Sequence, residues 1–153
     1  MGRRLAQARR RVGGRLPTSP ERLAGLSPED EERIDALLFR LSAAVTVLIE
    51  DVMETVLLAE ESFMFFLNVD VAEDLRALEA TGAIASAGQV LGIRERVWHQ
   101  YRIATRPLPA RAEALNAAWA DGQTMADLFV RLSEHIQRRG LFPGLDPFRA
   151  GPP

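Results

Sequence analysis

The sequence predicts an all-α fold, an antiparallel bundle of about five helices, from three observations. Apolar residues recur at alternating spacings of four and three. Cap and break residues bound these periodic segments. No segment shows the strict alternation of a half-buried strand, and there is no internal repeat or glycine-rich phosphate loop. At 153 residues the chain fits one domain. Its 47% hydrophobic and 26% charged content places it with globular proteins, and no apolar run is long enough to span a bilayer.

Residues 1–27 carry Arg3, Arg4, Arg9, Arg10, Arg11 and Arg15 with Gly13, Gly14, Pro17, Pro20 and Gly25. Without a sustained apolar period, this segment is expected to be a flexible arginine-rich arm, a solvated tail or a holder of RNA phosphates or an acidic partner. A helical domain is expected over 28–139. Ser27-Pro28-Glu29-Asp30 reads as N-cap, first-turn proline and acidic first turn, so a long helix starts there. Ile34, Leu38, Leu41, Val45, Leu48 and Val52 form its stripe, and Val45-Thr46-Val47 weakens it locally. Phe63-Met64-Phe65-Phe66-Leu67 is a dense apolar patch expected in the core, and Asn68 and Asp70 are candidate caps for a helix over 71–80. Gly82 fits a helix stop, and Ala85-Ser86-Ala87 opens a helix running to about Ile103. Arg106-Pro107-Leu108-Pro109 is a rigid break. Two helices follow, over 110–120 and 124–138, separated by Asp121-Gly122. Residues 140–153 form a proline- and glycine-rich tail.

Composition narrows the chemistry. With no cysteine there is no disulfide, thiol nucleophile or cysteine-built zinc site. All 19 basic residues are arginine, which removes lysine Schiff-base chemistry. No H-x-x-x-H or H-E-x-x-H spacing occurs, so no metal site and no cofactor is expected. The arginine-rich start resembles an organellar transit peptide, but no apolar segment follows it as a secretory signal requires, and a cytoplasmic location is the expectation.

One cluster suggests a reaction: Arg94-Glu95-Arg96-Val97-Trp98-His99-Gln100-Tyr101. Phosphodiester cleavage without a metal needs a proton-transfer group of near-neutral pKa and a fixed cation for the phosphate, and His99 with Arg94 supply both. On a straight helix residues five apart are separated by about 140°, so Arg94 and His99 diverge within one chain, whereas Arg94 and Tyr101 share a face. The two converge if arginine's stem curves round, if the helix distorts at its end, or if a second subunit brings its copy across a twofold axis. The plainer reading makes Arg94, Glu95 and Arg96 a solvated patch and Trp98 core or interface. His135 is expected at the surface.

Arg94-x4-His99-x-Tyr101 late in a small all-α chain resembles the R-x4-H-x-Y signature of the HEPN superfamily, in particular HepT-like toxins. The order of the long helix, the Asp74–Glu79 helix, the Gly82-Ala83-Ile84 turn and the motif helix is similar over residues 30–136. The resemblance implies a homodimeric, metal-independent endoribonuclease toxin acting on RNA and neutralised by a nucleotidyltransferase antitoxin. It implies His99 as general base or acid toward a ribose 2′-OH and Arg94 as stabiliser of phosphoryl charge. Tyr101 is then either adenylylated by the partner or positions the histidine. Glu95 departs from the polar residue usual after the arginine, and its carboxylate pairs with Arg94 or repels RNA. Trp98 packs the dimer or stacks a base. Two alternatives stand beside this expectation: a catalytically silent binding or regulatory subunit of a nucleotidyltransferase, and a helical interaction module with no nucleic-acid role.

Overall fold

The computed structural model describes residues 1–60, 70–99, 103 and 105–142. Among these residues the chain is helical and has no strand. Its elements are α1 (Gly2–Val12), α2 (Pro20–Ala24), α3 (Pro28–Val47), a π-helical turn (Leu48–Val52), α4 (Met53–Ala59), α5 (Val71–Thr81), α6 (Ala87–Trp98) and α7 (Leu108–Arg139). The expected all-α bundle forms, with its helices drawn differently in several places. The Phe63–Leu67 patch, Asn68, Tyr101 and the tail from residue 143 lie outside the described residues.

Residues 1–27, expected as a flexible arm, instead supply α1 and α2. Leu5, Ala8 and Val12 recur at spacings of three and four and are buried, as are Leu16 and Leu23. The apolar period is short, and dense arginine hides it from a hydropathy reading. Buried against α3 and α7, it is long enough to order the helix by tertiary packing. A Cβ on Gly2 would stand 2.8 Å from Phe129 Cβ, so α1 reaches α7 this closely only with glycine there. Thr18 and Asn116 exchange two hydrogen bonds of 2.7 and 2.9 Å, tying the segment before α2 to α7.

Ser27 Oγ accepts from the Asp30 N–H, and Pro28 opens α3 as expected. Asp30 is buried and receives Arg15 at 2.7 Å and Arg33 at 3.1 Å. The Arg15 hydrogen bond leads in holding its carboxyl below the usual range. Just past Val45-Thr46-Val47 the helix widens into the π-turn, and the buried positions step five residues, from Leu48 to Met53. A π-turn absorbs one extra residue, so the same face resumes at Val56 and Leu57.

Asp70 caps α5 by accepting from the Ala72 N–H. Gly82 ends it at φ 80°, with the Ala83 N–H on the Leu78 carbonyl and the Gly82 N–H on that of Glu79, the paired bonds of a Schellman stop. Ser86 then caps α6. The expected run to Ile103 stops at Trp98: Val97 is the last inward residue of the helix, and Ile103 returns to the core outside it.

The two expected helices after the proline break are one 32-residue helix, α7. Asp121-Gly122, expected to separate them, is engaged on both sides. Asp121 is buried against α6, and a Cβ on Gly122 would meet Arg9 Cδ at 3.1 Å. Arg9 lies 4.0 Å over the Trp119 ring, donates to the Trp119 carbonyl and reaches Gln123. Tertiary contacts override the helix penalty of glycine, about 1 kcal/mol.

His135, expected at the surface, is buried, with Nε2 at 2.6 Å from Glu60 Oε1. Arg139 adds Nη2 at 2.8 Å to Oε2, so Glu60 pins the end of α4 to the last turns of α7. A period argument missed this because the partner lies 75 residues away. The Arg139 hydrogen bond leads in lowering the Glu60 pKa from its usual 4.5. A depressed folded pKa gives stability that is present above the unfolded value and lost as pH falls through the folded one. Glu60→Gln should therefore cost about 1–3 kcal/mol in urea denaturation near neutrality. The gap to wild type should narrow as pH falls below the usual 4.5 and close once it passes the lowered folded value. A gap that widens in acid would contradict the assignment.

Candidate functional site

On α6 the residues Val90, Ile93 and Val97 are buried, which turns the charged residues of the octet outward. Arg94 and Trp98 are four apart and share one exposed face, while Glu95 and His99 share a second, each pair offset by about 40°. His99 is the residue at which the helix ends, with φ −98° and ψ 2°, its N–H on the Arg96 carbonyl.

A groove of about 410 Å³ opens beside His99. Glu95, Arg96, Arg106, Glu113 and Asp121 supply its charged lining, and Ala110, Ala114, Ala117 and Ala118 of α7 form its floor. Arg96 is committed within the chain: Nε and Nη2 each donate to an Asp121 carboxylate oxygen at 2.7 Å. This fork on a buried carboxylate is the strong bidentate geometry, and it holds the Arg96 pKa above its ordinary value. The clamp locks the last turn of α6 onto α7 one turn before His99. Arg106 lines the groove without an ion pair among the described residues.

The residues singled out by sequence thus divide. His99 and Glu95 lie in the groove, and Arg94 does not line it. Neither the Arg94 nor the His99 side chain has a hydrogen bond or ion pair among the described residues. Of the two outcomes expected of Glu95, pairing with Arg94 does not occur among the described residues. Trp98 is 75% exposed, so it is not a core residue of this chain. Tyr101 lies outside the described residues. Sequence reasoning missed Arg106, Glu113 and Asp121. The first stood in what read as a proline break, the second on a plain helix face, and the third in what read as a turn.

Chemically, the site presents an exposed imidazole at a groove edge, and two guanidinium groups, Arg94 and Arg106, that carry no ion pair among the described residues. Among the described residues no group of three or more histidine, aspartate or glutamate side chains converges as for a metal ion, and no helix is long and apolar enough to cross a membrane. No family model, curated protein or solved structure matches this chain.

Proposed function

We propose that this chain is a metal-independent endoribonuclease of the HEPN type, a homodimeric cytoplasmic toxin neutralised by a nucleotidyltransferase antitoxin. The supporting observation is that Arg94 and His99, spaced as R-x4-H, are both exposed at the end of α6 and have no side-chain hydrogen bond or ion pair among the described residues, with His99 on a groove that Arg94 does not line. A proton-transfer group and a phosphate cation that diverge in one chain serve one scissile phosphate when each comes from a different subunit. His99 takes the proton of the ribose 2′-OH as that oxygen attacks the adjacent phosphorus. The P–O5′ bond breaks, the 5′-oxygen leaves with a proton from water, whose hydroxide the proton held on His99 then neutralises, and a 2′,3′-cyclic phosphate remains. Arg94 from the second subunit carries the charge gathering on the non-bridging oxygens. Trp98, exposed beside both, packs the dimer, and Tyr101 is the residue for adenylylation or for positioning His99.

Mixing subunits tests this arrangement. Arg94→Ala and His99→Ala proteins, each inactive alone, should regain up to about a quarter of wild-type RNA cleavage after unfolding and refolding together. Half of the dimers are then mixed, and each has one of two sites intact. Absence of recovery despite proven mixed dimers would overturn a site shared between subunits. Glu95 favours a second reading, a nuclease-silent subunit of a nucleotidyltransferase, because its carboxylate lies in the groove where RNA phosphate would pass. In that case the wild-type control itself cleaves nothing.

A further inference from the structure

The order imposed on the first twelve residues gives the arginine run a geometry. With Leu5, Ala8 and Val12 buried, the exposed arc of α1 carries Arg3, Arg4, Gln7, Arg10 and Arg11. Arg4 and Arg11 are seven residues apart and stand one above the other, about 10.5 Å apart along the axis; Arg3 and Arg10 form a second row on the other side of Gln7. The helix contains no acidic residue. Arg9 and Arg15 are consumed internally, on Trp119 and Asp30, whereas Arg4, Arg10 and Arg11 are exposed with no ion pair among the described residues. Arg11 also shares a hollow of about 480 Å³ with Arg33, whose own charge is met by Glu29 and Asp30.

We propose that the outer face of α1 is a binding surface for the sugar-phosphate backbone of single-stranded RNA, separate from the groove at His99. In naming RNA this rests on the ribonuclease reading; the surface itself rests on α1. Guanidinium groups at fixed spacing on a rigid helix suit a chain of phosphates, which needs cations and no apolar anchor. A protein partner would need an apolar centre to its interface, and between Arg3 and Arg11 the exposed residues are arginine and glutamine alone. None of the residues that line the His99 groove belongs to α1, so a strand held on α1 is bound apart from the groove.

The test measures binding of a fluorescein-labelled 20-nucleotide single-stranded RNA by anisotropy over a salt series, in the full-length His99→Ala protein so that no RNA is cut. Adding Arg4→Gln, Arg10→Gln and Arg11→Gln together should weaken binding tenfold or more at low salt. It should also reduce the slope of log K against log salt by about 2, from roughly 0.7 per phosphate contact. Glutamine keeps the helix propensity, so the melting temperature should hold; if the triple variant fails to fold, each single substitution should lower the slope by about 0.7. Arg131→Gln with Arg138→Gln, exposed arginines of α7, should leave affinity and slope unchanged. An unchanged slope in the α1 variants, or an equal loss in the α7 control, would overturn the proposal, and an intact affinity would leave the face to an acidic protein. RNA bound through α1 but left uncut by wild type would keep the surface and refute the ribonuclease.

Discussion

His99→Ala should reduce RNA cleavage by about 10²–10⁴-fold, the usual share of a general acid or base. Arg94→Ala should reduce it by about 10²–10³-fold, the share of a group that stabilises transition-state charge. Both proteins should melt with the wild type. Neither side chain is buried or has a hydrogen bond or ion pair among the described residues, and surface substitutions away from special contacts stay within about 0.5 kcal/mol. Single-turnover cleavage rates beside thermal denaturation separate the two effects. A loss of activity that follows a loss of melting temperature would make these residues structural.

The largest effect on stability is expected at Arg96→Ala. It strands the Asp121 carboxylate, buried in the middle of α7, without its bidentate partner. Stranding a buried charge costs about 3–5 kcal/mol, and the low end applies because the Arg96 side chain is half exposed. The expected loss of about 3 kcal/mol corresponds to a fall in Tm of roughly 6–12 °C for a domain of this size. Arg96→Lys should recover only part of it, since an ammonium cannot make the two parallel bonds. Equilibrium urea denaturation measures each step, and a loss below about 1 kcal/mol would show that the clamp does not hold α6 to α7. Replacing both partners, Arg96→Met with Asp121→Leu, should restore stability. Cleavage should stay low in that protein if the polar clamp orients His99.

What sequence could reveal followed from how local each feature is. Ser27, Asp70 and Gly82 bond within a few residues of themselves, and each was legible as a cap or stop and stands as one; Ser86 was legible only as part of the start of a helix, which it caps. The class of fold was legible too, because a stripe such as Ile34, Leu41, Val45 and Leu48 is a one-dimensional signal. The errors share a physical cause in partners distant along the chain. Arginine density masked the Leu5, Ala8 and Val12 face, whose support comes from α3 and α7. Asp121-Gly122 read as a turn because their local propensity is poor, while Arg96 and Arg9 hold them in helix. His135 read as surface because its neighbours in sequence are polar, and Glu60 lies 75 residues away. At the site, the spacing of Arg94 and His99 already implied that they diverge in one chain. That His99 terminates α6 beside Arg106 was not legible, since nothing local announces the end of that helix.

The most direct measurement is cleavage of RNA by the purified wild-type chain in EDTA, with the 3′ ends of the products determined by mass spectrometry and His99→Ala run beside it. The proposed chemistry predicts products ending in 2′,3′-cyclic phosphate, absent with the variant. Intact RNA after incubation with folded wild-type dimer, or products ending in 3′-hydroxyl, would contradict it.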